Sequence, residues 1–386
     1  MAPREKSLTR WYIDTRHLTA TTSSLPLLET LQPDDQQTVQ KFIRLEDRHM
    51  SLASYLLKYL FIHRTCRIPW SEITISRTPK PHQRPCFIPS CRTRADGSEV
   101  PDVEFNVSHQ ASFVALAGCI IPSSSSAASR SPGAAAAAAA ETLDRPSISS
   151  SVTTPPPPAL PQAVFTNPQP SAAPIPSIPQ VGIDITCVNE PSRRRRDSIT
   201  TEKALAEFVD IFAEIFSPRE LSTIKQIPLD SRSSPEKLQE AIKSRVRLFY
   251  AYWALKEAYI KMTGEALLAP WLRELEFTNV VAPEPVSSTS SSSPWSKPYK
   301  GVQTWLYGKR VDDVRIELAA FETDYLVATA ARGGRFGARG HHHASNNNNT
   351  VPDDGNDDSD PWKDLEQIDI ERDITACAKG HCHCLD

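Results

Sequence analysis

What most constrains this chain is a stretch that has no means of folding. Residues 121–180 hold thirteen of the 33 prolines, seven alanines in a row from Ala134 to Ala140 and four prolines in a row from Pro155 to Pro158. Proline fixes φ and removes a backbone donor, and the segment has almost no apolar periodicity to offset the entropy of ordering it. It reads as a flexible Pro/Ser/Ala-rich linker. A second Ser/Pro-rich patch covers about 283–298, and from Arg332 the sequence runs through RGGRFGARG, three histidines (341–343), four asparagines and an acidic DDGNDDSD run. The divisions expected are an N-terminal lobe over 8–120, the linker over 121–180, a C-terminal lobe over 181–331 and a largely disordered tail over 332–386. Roughly 250 residues then remain foldable, enough for two modest cores or one larger one.

A formal net charge of −3 gives no electrostatic signature for the whole chain. No apolar run follows MAPREKSLTR, so a secretory leader is not expected, and no stretch approaches a membrane span. The eight cysteines are scattered, apart from Cys377, Cys382 and Cys384, which suits free thiols in a reducing compartment. The expectation is a soluble, cytoplasmic, monomeric protein with no nucleic-acid or membrane partner.

Periodicity places the elements. Trp11 to Asp14 has the look of a first strand, and a helix pattern runs from Pro33 to about His63 with Phe42, Leu45, Leu52, Leu56, Tyr59 and Leu60 as its apolar stripe. Strands are expected over 70–76, 103–107 and 112–117. After the linker, a strand over 181–186 begins a second pass. It is followed by a helix over 201–215 and a long helix opening at Ser234-Pro235-Glu236 and capped by Gly264. Closing strands fall at about 272–278, 302–307, 314–321 and 325–330. Two strand–helix–strand halves imply an α+β fold, a two-lobed pseudo-dimer with its active site in the cleft between similar subdomains.

Three segments carry chemistry. In VGIDIT (181–186) alternation puts Gly182, Asp184 and Thr186 on one face, leaving room beside the carboxylate for a metal and a phosphate. A strand-end aspartate capping a turn is the bland alternative. In FNVSHQ (105–110), Ser108 and His109 at a strand end can hold phosphate oxygens; a polar turn or a nucleophilic Ser/His pair are the rivals, and no G-x-S-x-G elbow surrounds Ser108. In WALKEAYIK (253–261), Glu257 and Lys261 stand four residues apart on one helix face with Lys256 adjacent in sequence. A solvated salt bridge is the alternative there, a metal-bridged phosphate the sharper reading.

In order along the chain, these segments resemble the signature blocks of Sfp-type 4′-phosphopantetheinyl transferases. QRPCFIP (83–89) is similar to that family's G-K-P block and FSPREL (216–221) to its F-[ST]-x-x-E block, while the long linker and tail resemble fungal broad-range members. The resemblance implies a two-lobed enzyme that binds coenzyme A and Mg²⁺ between its halves. It implies transfer of the 4′-phosphopantetheine arm to a serine of an acyl or peptidyl carrier protein, releasing adenosine 3′,5′-bisphosphate. Carried over by position, Asp184 and Glu257 ligate Mg²⁺, Lys261 holds the pyrophosphate with Lys256 close by, and His109, Ser108 and Arg84 hold the 3′-phosphate and ribose. Pro85 shapes the adenine pocket. Beyond the roles carried over, Glu257 is placed to accept the proton of the carrier serine, directly or through a metal-bound water. Many bacterial members have a second acidic residue where this chain has Thr186, so Gln110 or water is expected to complete the metal site. The carriers implied are those of fatty-acid, polyketide and nonribosomal peptide synthases and of aminoadipate reductase in lysine biosynthesis. A non-catalytic scaffold that binds coenzyme A or carrier proteins is the rival from another class.

Other features are weaker. Arg193–Arg196 reads as a solvated loop, a steering patch for acidic carriers or a nuclear localisation signal. The tail cluster Cys377, His381, Cys382, His383 and Cys384 offers ligands that zinc takes, but lacks the paired C-x2-C spacing of structural zinc sites. Lys41, Arg44 and Lys58 are either further 3′-phosphate contacts or surface charge.

Overall fold

Each half of the chain spends its one long amphipathic helix and its alternating strands in the same way. The computed structural model describes residues 7–79, 83–94, 97–122, 178–190, 199–265, 269–287, 293–334, 336–337 and 360–385. The first half contains β1 (Leu8–Asp14), α1 (Arg16–Thr21), α2 (Pro33–Gln40), α3 (Leu45–Cys66), β2 (Ile75–Arg77), β3 (Pro85–Phe87), β4 (Asp102–Gln110) and β5 (Phe113–Ile121). The second contains β6 (Gln180–Cys187), α4 (Glu202–Asp210), α5 (Pro218–Lys225) and α6 (Pro235–Thr263). It continues with β7 (Leu275–Thr278), β8 (Gln303–Leu306), β9 (Lys309–Arg310), β10 (Val314–Phe321) and β11 (Tyr325–Arg332). The chain closes with β12 (Trp362–Gln367) and α7 (Thr375–Ala378).

The antiparallel order β1-β5-β4 in one sheet matches β6-β11-β10 in the other. In both, a strand leads into a long helix and then a hairpin whose second strand is central. That is the pseudo-dimer in topological form. Period-2 alternation then sorts the core into layers. Leu52, Leu56, Tyr59 and Leu60 of α3 pack with Trp11, Phe105, Val114 and Leu116. Leu255, Ala258 and Met262 of α6 pack with Ile316, Leu318, Leu326 and Ala328. The opposite sheet faces meet each other through Tyr12, Phe113, Ala115, Ile183, Ile185, Phe321 and Val327, and the Phe113 and Phe321 rings sit 4.4 Å apart. The order is helix, sheet, sheet, helix.

A polar seam joins the sheets where β4 meets the free edge of β6. The side-chain oxygens of Asn106, Ser108 and Gln110 accept the backbone N–H groups of Ile183, Ile185 and Cys187 at 3.1, 3.2 and 2.9 Å. Side chains at i, i+2 and i+4 on one strand thus take the part that a neighbouring strand's carbonyls would play, and no edge donor is left bare at these three positions.

Several expectations are corrected. The first long helix is two, because Lys41–Arg44 break it and leave Ile43 93% exposed. Trp70–Glu72 is a single 3-10 turn ahead of β2. The helix expected over 201–215 stops at Asp210, and FSPREL opens α5, where Ser217 and Glu220 form a reciprocal capping box. The tail is not uniformly without structure: Trp362–Gln367 adds a parallel strand to β1, with Trp362 buried, and a π-helical turn (Ile370–Ile374) and α7 follow. WKDLEQ offers only Trp362 and Leu365 as apolar residues, too few to announce a strand. Within the Ser/Pro-rich insert, Trp295 packs on Phe321 and Tyr12. The linker over 123–177, the arginines at 193–196 and the histidines at 341–343 lie outside the described residues. All described residues belong to one unit, and among them no helix is long and apolar enough to cross a membrane.

Candidate active site

Gly182 decides where the second long helix lies. A Cβ there would collide with the carbonyl oxygen of Ala258 and the amide nitrogen of Met262, so the α6 backbone rests directly on β6 at that point. The space over Gly182 itself is therefore taken by the helix backbone. The consequence is positional: Glu257 and Lys261, the sequence neighbours of those two contact residues, are brought to the strand that carries Asp184.

Asp184 is buried, and every one of its hydrogen bonds is specified. Lys261 Nζ lies 2.7 Å from Oδ1, Ser108 Oγ donates to the same oxygen at 3.1 Å, and Thr186 Oγ1 donates to Oδ2 at 2.8 Å. Lys261 also lies 2.8 Å from Ser108 Oγ. Three elements from both halves, β4, β6 and α6, therefore converge on one carboxylate. The Glu257 side chain makes no hydrogen bond or ion pair among the described residues. Burial first, then the Asp184 charge, push its carboxyl up to about 7 against the pull of Lys261. Lys261 is paired with Asp184, so the Glu257 carboxyl has no cation of its own once it ionises.

The other expected residues divide. Ser108 is buried, with its hydroxyl committed to Asp184, Lys261 and the Ile185 N–H, so it faces the carboxylate rather than a 3′-phosphate. Gln110 is corrected as a metal ligand: its oxygen accepts the Cys187 N–H and its amide donates to Glu190 at 2.7 Å. His109 is exposed, and desolvation followed by the charges of Lys261 and Lys58 holds its imidazole below the usual range. Arg84 reaches the start of β6 and the end of α6: it donates to Glu104 at 2.6 Å and to the Val181 carbonyl at 3.4 Å, and its Cδ would touch a Cβ at Gly264. Its Nε is buried without a partner. Pro85 is half-buried at the start of β3. Lys41 and Arg44 are exposed, while Lys58 is buried beside the Tyr55 ring and desolvation pushes its amine down to about 7.

Lys256 is the clear correction. Its side chain is fully buried and pairs with Glu220 of FSPREL at 2.9 Å, and its ammonium also donates to the carbonyls of Leu272 and Leu275. Glu220 in turn accepts the N–H groups of Phe277 and Ser217. Two of the signature blocks are thus tied to each other inside the C-terminal lobe, away from Asp184. The signal was available: at 100° per residue Lys256 stands 100° from Glu257 and 140° from Lys261, off their shared face. Asn106 shares its strand face with Ser108 and Gln110 and serves the same seam, accepting the Ile183 N–H.

The match to known proteins follows this division of the chain. Residues 19–121 match the family model described as 4′-phosphopantetheinyl transferase, N-terminal, and residues 180–319 match that of the 4′-phosphopantetheinyl transferase superfamily. The 4′-phosphopantetheinyl transferase A of Aspergillus fumigatus is 55% identical over 99% of this chain and 97% of its own length. The 4′-phosphopantetheinyl transferase NpgA of Emericella nidulans is 49% identical over 98% of this chain and 96% of its own. The human L-aminoadipate-semialdehyde dehydrogenase-phosphopantetheinyl transferase is 22% identical over 79% of this chain and 68% of its own. Matched in both halves and along nearly its whole length, the chain belongs to the 4′-phosphopantetheinyl transferase superfamily.

Proposed function

We propose that this chain transfers the 4′-phosphopantetheine arm of coenzyme A to a serine of apo acyl and peptidyl carrier proteins, releasing adenosine 3′,5′-bisphosphate. The observation that carries the reading is the convergence of Asp184, Glu257 and Lys261 from β6 and α6, with Ser108 from the other half fixing Asp184. The serine oxygen forms a bond to the phosphorus that bears the pantetheine arm, the bond from that phosphorus to the bisphosphate breaks, and the serine proton leaves. Glu257, whose side chain has no hydrogen-bond partner among the described residues, is assigned the serine proton, taken directly or through a metal-bound water. Lys261 offers an ammonium to the charge that develops on the leaving bisphosphate. The charges of Lys261 and Lys58 around His109 suit an anion, and we assign His109 to the 3′-phosphate and ribose, with Arg84 beside it on the resemblance alone. Pro85 is assigned to the adenine side.

The donor set fits a hard divalent cation: two carboxylates, one of them unpartnered, with charge in excess of their single lysine. We propose that Asp184 and Glu257 hold Mg²⁺, which when bound would neutralise pyrophosphate charge. With Gln110 engaged elsewhere, water is left to complete the coordination.

A carrier of the aminoadipate-reductase type is favoured by the names of the vertebrate relatives. Carriers of fatty-acid, polyketide and nonribosomal peptide synthases are proposed on the resemblance to broad-range members. Eight free cysteines support a cytoplasmic setting. The scaffold alternative is not favoured, since the relatives with the highest identity here are named as transferases. The test is chromatographic: incubation with an apo carrier, coenzyme A and Mg²⁺ releases adenosine 3′,5′-bisphosphate in proportion to carrier modified. Coenzyme A binding with no release on any carrier would support the scaffold instead.

A further inference from the structure

The cysteines of the tail gain a fourth partner from far up the chain. His63, in the last turn of α3, and Cys377, Cys382 and Cys384 place one ligand atom each within 4.8 Å of all the others. The sulfurs of Cys377 and Cys384 are 3.7 Å apart, and His63 Nε2 is 3.0 Å from the sulfur of Cys382. Tetrahedral zinc, with Zn–S about 2.3 Å and Zn–N about 2.0 Å, puts sulfurs about 3.8 Å apart and nitrogen about 3.6 Å from sulfur. One distance already agrees, and the other needs to open by about half an ångström.

The histidine is oriented for the task. Its Nδ1 lies 2.7 Å from the Ile68 carbonyl, which can only accept, so Nδ1 carries the proton and Nε2 turns a lone pair toward the sulfurs. The Trp70 ring packs edge-on against it at 6.1 Å. His63 and Cys377 are buried, whereas His381 and His383, the nearer histidines in sequence, are exposed and outside the cluster. The segment also needs an anchor. Beyond β12 it holds a five-residue π-helical turn and a four-residue helix, and its buried apolar residues are Ile368, Ile374 and Cys377. Helices this short have no stability of their own.

We propose that His63, Cys377, Cys382 and Cys384 bind one zinc ion in a closed, structural Cys₃His site that fastens the C-terminal segment to the end of α3. Each cysteine gives its proton to solvent on binding, so three protons leave per ion. No protein-free position remains, and none of Asp184, Glu257 or Lys261 takes part, so this site stands or falls independently of the transfer reaction.

The test is metal content of the untagged full chain, purified with thiols reduced. Native mass spectrometry and elemental analysis are expected to give one zinc per chain, and Cys382→Ser and Cys384→Ser each to lose it. Because those variants can misfold, cobalt(II) is also exchanged into the wild-type protein, where thiolate-to-metal charge-transfer absorption of three sulfurs is expected. A chelator strong enough to strip the zinc lowers Tm. A folded wild-type chain free of zinc after zinc addition, zinc retained in the Cys382→Ser/Cys384→Ser double variant, or a Cys377–Cys384 disulfide under reducing conditions would each overturn the proposal.

Discussion

Lys256→Met separates a structural lysine from a ligand for coenzyme A. The wild-type ammonium is fully buried, with Glu220 at 2.9 Å and two backbone carbonyls as partners. Methionine keeps the stem and removes the charge, so the Glu220 carboxylate stays buried with two N–H donors and no counter-charge. Breaking a buried ion pair from one side costs about 3–5 kcal/mol. Against a total stability of about 5–15 kcal/mol that is a large share, and the urea midpoint is expected to fall accordingly. Adding Glu220→Gln removes the stranded charge while keeping an acceptor for one N–H, so the double variant recovers about 2 kcal/mol. The deficit of the single variant also narrows on acidification, because burial already raises the Glu220 pKa and a protonated carboxyl needs no partner. Urea unfolding followed by fluorescence, with kcat and KM for coenzyme A measured on the folded protein, checks all three. A tenfold rise in KM with stability unchanged would refute the reasoning and return Lys256 to the cofactor.

Ser108→Ala leaves the Ile185 N–H without its acceptor and frees Lys261 and Asp184 to shift. We expect kcat to fall by about 10²-fold with KM for coenzyme A nearly constant; a raised KM at unchanged kcat would restore the 3′-phosphate role. Glu257→Gln raises stability in metal-free buffer at pH 8. The wild-type carboxyl, raised to about 7 from 4.5, loses its folded-state advantage as pH climbs through that interval, so the variant leads by about 3 kcal/mol at pH 8 and the lead vanishes below pH 4.5. Thermal melts with and without Mg²⁺ check this, and Mg²⁺ is expected to cancel the gap. Gly182→Ala forces α6 off β6, costing about 1–3 kcal/mol by urea unfolding and lowering kcat more than tenfold; a fully active, equally stable variant would contradict the packing argument.

The long helix over Pro235–Thr263 announced itself through Ser234, Pro235 and Gly264, and its i,i+4 pair Glu257 and Lys261 was read onto the right face. Asp184 stood out because Gly182 and Thr186 flank it on the same strand face. Strand alternation could say which face Gly182 occupied but not that a helix backbone fills the space above it, since that is a tertiary contact. The same limit hid the Lys256–Glu220 pair, formed between helices far apart in sequence, although helical angles already set Lys256 apart. FNVSHQ was read for phosphate chemistry, whereas Asn106, Ser108 and Gln110 first of all close an open strand edge. The strand in the tail is not legible locally, because β12 takes its partner from β1 at the other end of the chain and no local pattern encodes such a pairing.

The most direct test is the intact mass of an apo acyl carrier protein after incubation with this chain, coenzyme A and Mg²⁺. A gain of one phosphopantetheine with the wild-type chain, lost with folded Asp184→Ala and with folded Lys261→Ala, is what the account predicts. Full modification by either variant, at wild-type rate, would contradict the placement of the transfer centre where β4, β6 and α6 converge.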